Sequence, residues 1–253
     1  MKIGELPIGC KLRFGMYEDE DIAWVKVSDK SDFFALHRIG NKAFDATEWC
    51  NDNRSRRSCG NNYYPHSNIF QWLNSTDNSW FSPMHGSDEA PTYCLTPGFL
   101  SQFSSTELDA IDEQEITVSV PCGSKKEFGK TVQLSCKVTI PSASQFEQDE
   151  TVLGDNSLLA EGEQMPGLVD AISEMSPYNR IMTRSGVGTG GHILVWIDGE
   201  MVKTRAKSQV GVHPMIRLKA DVDISDKPDE YGFMYIPDHD FVERFMEIIK
   251  LTG

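Results

Sequence analysis

Short apolar runs with β-branched and aromatic content fill the first forty positions. Residues 11–15, 22–27 and 33–39 each read as a strand, the last ended by Gly40-Asn41, and together they predict a small antiparallel sheet. From Phe44 to Tyr64 neither a period of 2 nor one of 3.6 survives, and Asn, Asp, Arg, Ser and Gly dominate, which predicts a long loop. Ser67 then caps a short helix whose apolar faces are Ile69, Phe70, Trp72 and Leu73, with Trp72 directed to the core. A second helix starts at Ser104 or Ser105, carries Leu108 and Ile111 at the i, i+3 spacing, and presents Glu107, Asp109, Asp112, Glu113 and Glu115 as a solvated side.

Further along, residues 116–120 and 132–140 alternate like strands about a Gly/Lys-rich connection and predict a hairpin. Ser142 caps a brief helix. Between Val138 and Asn179 no Lys or Arg occurs while eight acids do, so this stretch reads as a mobile insertion or flap. The clearest local signal is Asp198-Gly199 between the alternating runs 192–197 and 200–204, because a type I′ turn needs positive φ at both central residues. Residues 210–218 form another strand, with Pro214 marking an edge or a strand end. After Pro237, apolar residues at 241, 242, 245, 246, 248 and 249, with acids first and Lys250 last, predict an amphipathic terminal helix over 238–253 packed on a domain of residues 1–237.

Composition narrows the function classes. With 24 Lys and Arg against 38 Asp and Glu, the formal charge of −14 opposes the phosphate tracking of a nucleic-acid binder and attraction to an anionic membrane. No apolar run approaches a membrane span, and the first residues lack the apolar core of a signal peptide, which points to a cytoplasmic product. Six cysteines stand with no Cys-x-x-Cys spacing, so reduced thiols are the default, with Cys50/Cys59 and Cys122/Cys136 as the loop pairs open to oxidation.

Candidate chemistry is sparse. The run Gly186-Val-Gly-Thr-Gly-Gly191 enters a strand rather than a helix, so it lacks the context of a phosphate loop. No G-x-S-x-G elbow occurs, and the six histidines are scattered singly, without metal-ligand spacing. No cofactor is implied. Calcium is the one metal with acids to spare, including Asp221, Asp223 and Asp226, although no calcium-loop pattern is present.

The series 59–64 (CGNNYY), 67–75 (SNIFQWLNS), 97–103 (PGFLSQF) and 211–218 (GVHPMIRL) resembles an uncharacterised bacterial and prophage family whose members carry GNNRY, QWLNS, PGFLNNF and GVRPALNL in that order. The chain differs from it at His213 for Arg, at Ile181-Met182 for paired tryptophans and at Tyr64. That family's pattern is similar to the C-type-lectin-like fold of sulfatase-modifying enzymes and phage receptor-binding proteins. The resemblance implies one α+β, C-type-lectin-like domain of short antiparallel strands and long loops, with the C-terminal helix added.

The expected function is binding of a protein or glycan ligand by a phage-derived or cell-associated module, with no catalytic role, and with assembly into a phage particle as one destination. Asn61, Asn62, Tyr63 and Tyr64, with Arg184, Arg205 and Trp196, are the expected contacts, since Tyr and Asn adapt to ligands at low entropic cost; Trp196 reads equally well as core. Two alternatives stay open. One is a structural virion or assembly protein that self-associates through the terminal helix. The other is an enzyme of the formylglycine-generating type, which uses two nearby cysteines.

Overall fold

The computed structural model describes residues 1–49, 54–84, 86, 88–120, 130–146, 165–175, 179–188 and 191–237. The expected helix over 238–253 lies outside them. The fold is mixed α/β and mostly sheet. Among the described residues fourteen strands follow in chain order: β1 (Lys11–Tyr17), β2 (Glu20–Lys26), β3 (Asp32–Ala35), β4 (Asn41–Ala43), β5 (Ile111–Asp112), β6 (Gln114–Ser119), β7 (Thr131–Cys136), β8 (Val138–Thr139), β9 (Arg180–Val187), β10 (His192–Ile197), β11 (Glu200–Arg205), β12 (Gln209–Gly211), β13 (Met215–Leu218) and β14 (Met234–Tyr235). The helices are α1 (Arg54–Cys59), α2 (Asn68–Leu73), α3 (Ser105–Ala110) and α4 (Pro166–Ser173).

One sheet runs β14-β1-β2-β3-β13-β5, with β8 also paired to β13; a second runs β11-β10-β9-β12-β4; β6 and β7 form a separate hairpin. The 198–199 turn is as expected, with φ of 50° at Asp198 and 92° at Gly199. The α2 cap is also as expected, Ser67 Oγ accepting from Phe70 N.

Several elements end earlier than periodicity suggests. The run after Ser104 keeps a capping box with Glu107 but stops being helical at Ala110; Ile111 and Asp112 turn into β5 because Arg217 and Leu218 of β13 offer a strand partner. The run 132–140 is not one strand. Its first half pairs with β6, and from Val138 it crosses to β13. Asn74 holds that crossing: its Oδ1 accepts from Lys137 N and Val138 N, and its Nδ2 donates to the Val138 carbonyl. Likewise 210–218 breaks into β12 and β13 on different sheets, with Pro214 between them. The acidic stretch is no flap at its C-terminal end, where α4 buries Leu168 and Ala171 against Val25, Val27, Phe34 and Met215. A Cβ at Gly167 would stand 2.8 Å from the Val27 carbonyl, so the helix backbone lies directly on the sheet.

The large sheet therefore has two unlike faces. Leu12, Trp24 and Ala35, in register across β1, β2 and β3, join the main core with Phe33, Tyr64, Trp72 and Phe99. Val25, Phe34 and Met215 share the other face, and α4 covers them. On that same face Lys11 pairs with Val25, and Arg13 with Ala23 and Tyr235, and here the sheet opens into a groove.

Candidate functional site

The groove is built where α4 stops. Lys11, Leu36, His37, Arg38, Glu174, Met175, Asn179 and Phe233 line a cavity of about 770 Å³ on the open half of the sheet. His37 and Arg38 continue into a second recess beside Glu18, Glu20 and Asp21. Asp21 in turn belongs to a third cavity of about 210 Å³ around Arg13, Phe14, Gly15, Met16, Glu107, Asp229 and Tyr235. Shared residues thus join the three recesses into one surface across β1, β2 and β14.

Arg13 is the centre of its upper end. The guanidinium carbon lies 5.2 Å from the Tyr231 ring centroid and 5.0 Å from that of Phe233, while Nε reaches Asp229 at 3.4 Å and Nη1 reaches Asp21 at 3.8 Å. Asp229 shapes the loop that brings the rings there: its Oδ1 accepts from Tyr231 N and Phe233 N, and Gly232 takes φ of 84°. Tyr231 remains 68% exposed and Tyr235 40%, so both rings present faces to solvent. Burial raises the Asp21 carboxyl above the usual carboxylate range, an effect that Arg13 opposes. At the floor, Gly15 forms a bulge between Arg13 and Met16 with φ of 72°, and its N–H donates to Glu107 Oε1 at 3.1 Å.

The residues expected to bind are placed differently. Asn61, Asn62, Tyr64 and Arg184 are buried. Asn62 Nδ2 donates to the carbonyls of Val187, Gly188 and His192, closing the glycine connection against the core, and Arg184 Nη1 donates to the Ile140 carbonyl at 2.6 Å. Tyr64 packs on Phe44 and Phe70. Tyr63, half-buried, meets His66 edge-on, and Trp196 stacks on Phe146 at 5.1 Å. Arg205 is exposed, but it pairs with His192 at the opposite end of β10 from Trp196. The seven do not converge on one concave surface, because the Asn-rich segment is the link that seats α2 and the glycine connection.

Other polar clusters act inside the fold. Lys42, 6% exposed, sets Nζ 4.3 Å from the Trp72 ring centroid and 5.0 Å from that of Tyr93, a boxed cation whose burial lowers its affinity for the proton. Asp45 accepts from Asn61 N and Asn68 N, and desolvation raises its carboxyl well above the ordinary range. Among the described residues no three His, Cys, Asp or Glu side chains converge as a metal site would require. Asp223 is paired with Lys2 at 2.8 Å, while Asp221 offers its carbonyl to Lys2 Nζ. Cys59 and Cys136 are free thiols, and Cys50 and Cys122 lie outside the described residues. Burial pushes the Cys136 thiol up to about 12.

Sequence reasoning missed Arg13, Asp21, Arg38 and the aromatic residues before Pro237. One signal was available, since Tyr231, Phe233 and Tyr235 recur at every second position after an acid-rich stretch.

A family model described as Domain of unknown function (DUF6273) matches residues 33–220, well over half of the chain. The chain belongs to this family. The DUF6273 match opens within β3 and closes just after β13, so it takes in Leu36, His37, Arg38, Glu174, Met175 and Asn179 of the groove. Lys11, Arg13, Asp21 and residues 229–236 stand outside it. No curated protein and no solved structure is matched by the chain. No helix among the described residues is long and apolar enough to cross a membrane.

Proposed function

We propose that this protein is a non-catalytic binding module whose protein ligand lies along the open half of the large sheet. The observation that carries the reading is the groove itself: cations Lys11, Arg13 and Arg38, acids Glu20, Asp21 and Glu174, and the exposed Tyr235 line adjoining recesses that share residues, with the exposed Tyr231 over Arg13. Tyr and Arg are the residues enriched as anchors in protein-binding patches. The buried thiol of Cys136, with its raised pKa, is the opposite of an activated nucleophile. A glycan ligand is the second reading, favoured by the solvent-facing rings of Tyr231 and Tyr235.

We further propose that the arrangement is a C-type-lectin-like variant of phage or prophage origin. Its support is the resemblance of the ordered sequence series together with short strands and long connections. The decisive experiment screens the full chain against a random peptide library and a glycan array, then repeats each hit with Arg38→Glu and Tyr231→Ala. Peptide hits that weaken at least tenfold in both variants support the reading. Hits that neither variant affects would overturn it, and glycan hits alone would replace it with the second reading.

A further inference from the structure

The recess around Arg13 has a chemistry of its own. Its lining sets one cation, Arg13, among three carboxylates, Asp21, Glu107 and Asp229, and completes the wall with Phe14, Met16 and Ile236. Arg13 is already engaged, its guanidinium over the rings of Tyr231 and Phe233 and its Nε at Asp229. Glu107 is fixed in place, Oε1 accepting from Gly15 N and Oε2 from Ser104 N at 2.7 Å. Asp21 stands apart: its contact with Arg13 is a long 3.8 Å, its side chain is 31% exposed, and its carboxyl is held above the ordinary range by desolvation. A carboxylate in that position gains from a second cation.

Size and polarity identify the bearer. At about 210 Å³ the cavity falls below the roughly 300–1,000 Å³ of drug-sized ligand sites. It suits a single side chain with an apolar stem and a cationic end. A bare metal ion is disfavoured, because no three ligating groups converge among the described residues. We infer that this cavity receives a lysine side chain of the protein partner, its stem against Phe14, Met16 and Ile236 and its ammonium at Asp21, the carboxylate that Arg13 holds least closely. The inference rests on the reading of this face as a protein-binding surface. The formal charge of −14 works in the same direction, drawing basic partners to the molecule.

The test titrates the 15N-labelled full chain with Nα-acetyl-lysine methylamide and, separately, with the norleucine analogue, which keeps the stem and lacks the ammonium. The lysine amide is expected to shift the amide signals of Gly15, Met16, Asp21 and Tyr235 saturably, and to bind at least tenfold more tightly than the norleucine amide. Asp21→Asn should weaken it at least fivefold with an unchanged melting midpoint. Should that variant unfold, Thr106→Trp, at an exposed rim position, replaces it and should abolish the shifts. Equal binding of the two amides would assign the cavity to an apolar side chain and overturn the inference, as would shifts confined to other residues or no saturable binding. The two readings can fail separately. Peptide hits without any preference for lysine would leave the binding module standing and remove the lysine site, whereas lysine binding without peptide hits would do the reverse.

Discussion

His213 shows how one residue can be read from its neighbours alone. It is 1% exposed, lies flat on Phe34 at 5.4 Å, and donates from Nδ1 to the Ala35 carbonyl at 3.0 Å. That tautomer leaves Nε2 as a buried lone pair with no hydrogen-bond partner among the described residues. Protonation would place an unmatched N–H and a charge in the core, and desolvation lowers the pKa from 6.5 to about 4. Between those values the unfolded chain binds the proton and the folded chain does not, so stability is full above pH 6.5 and falls as pH drops toward 4. The loss attributable to this group approaches about 3 kcal/mol. Urea midpoints of the native chain and of His213→Asn, measured from pH 7 to pH 4, should diverge in slope by most of that amount; parallel curves would show that another group carries the acid sensitivity. Lys26 illustrates the opposite solution, a buried cation satisfied by carbonyls, with Nζ donating to Leu6 at 2.7 Å and to Ile3 at 3.4 Å.

At the scale of elements, boundaries are set by competition between local preference and a partner supplied from far away. The capping box at Ser104 starts α3, yet β13 converts its continuation into β5. The run after β7 has one unbroken alternation, yet the Asn74 side chain, 64 residues away in sequence from Val138, takes the N–H groups of Lys137 and Val138 where the chain leaves β6 for β13. The bulge in β1 is another such point. Gly15 holds φ of 72°, and a Cβ there would stand 2.3 Å from Cε1 of Phe103, an aromatic ring in the core with no room to retreat. Gly15→Ala should therefore cost about 2–4 kcal/mol, from the left-handed backbone and the overpacking together. Thermal or chemical denaturation measures this directly, and a loss below about 1 kcal/mol would mean that the strand relaxes out of its bulge. Because Gly15 also binds Glu107, the same substitution should disturb the small cavity.

For the whole molecule, the two-faced sheet decides what is available for binding. The main core fills one face, and α4 fills half of the other. Among the described residues the remainder, from Lys11 to Arg38, stays open to a ligand. The net charge then acts on approach rather than on fit. Association of a basic peptide with this face should slow severalfold as salt rises from about 0.05 to 0.3 M, since the screening length shrinks from about 14 Å to under 6 Å, while dissociation changes little. Stopped-flow or surface-binding kinetics would show it, and a salt-independent association rate would remove long-range steering from the account.

Local chemistry was legible wherever a few adjacent residues dictate the backbone. Asp198-Gly199 specifies its turn because both residues accept positive φ, Ser67 specifies the start of α2 because its hydroxyl reaches Phe70 N, and the core role of Trp72 follows from its place on that helix. The groove was not legible. Its parts come from residues 11–23, 36–40, 106–107, 174–175, 179 and 229–236, which share no period and meet through strand pairing and the docking of α4. The Asn-Tyr segment misled for the same reason: polar residues in a long connection read as exposed until tertiary contacts show Asn62 closing three carbonyls inside the fold. The sequence by itself determined turns, caps and the acidic balance, which depend on near neighbours and on counting. Tertiary structure alone decided which polar side chains are satisfied internally and which stretch of the sheet stays open, because both depend on what the distant chain brings to cover them.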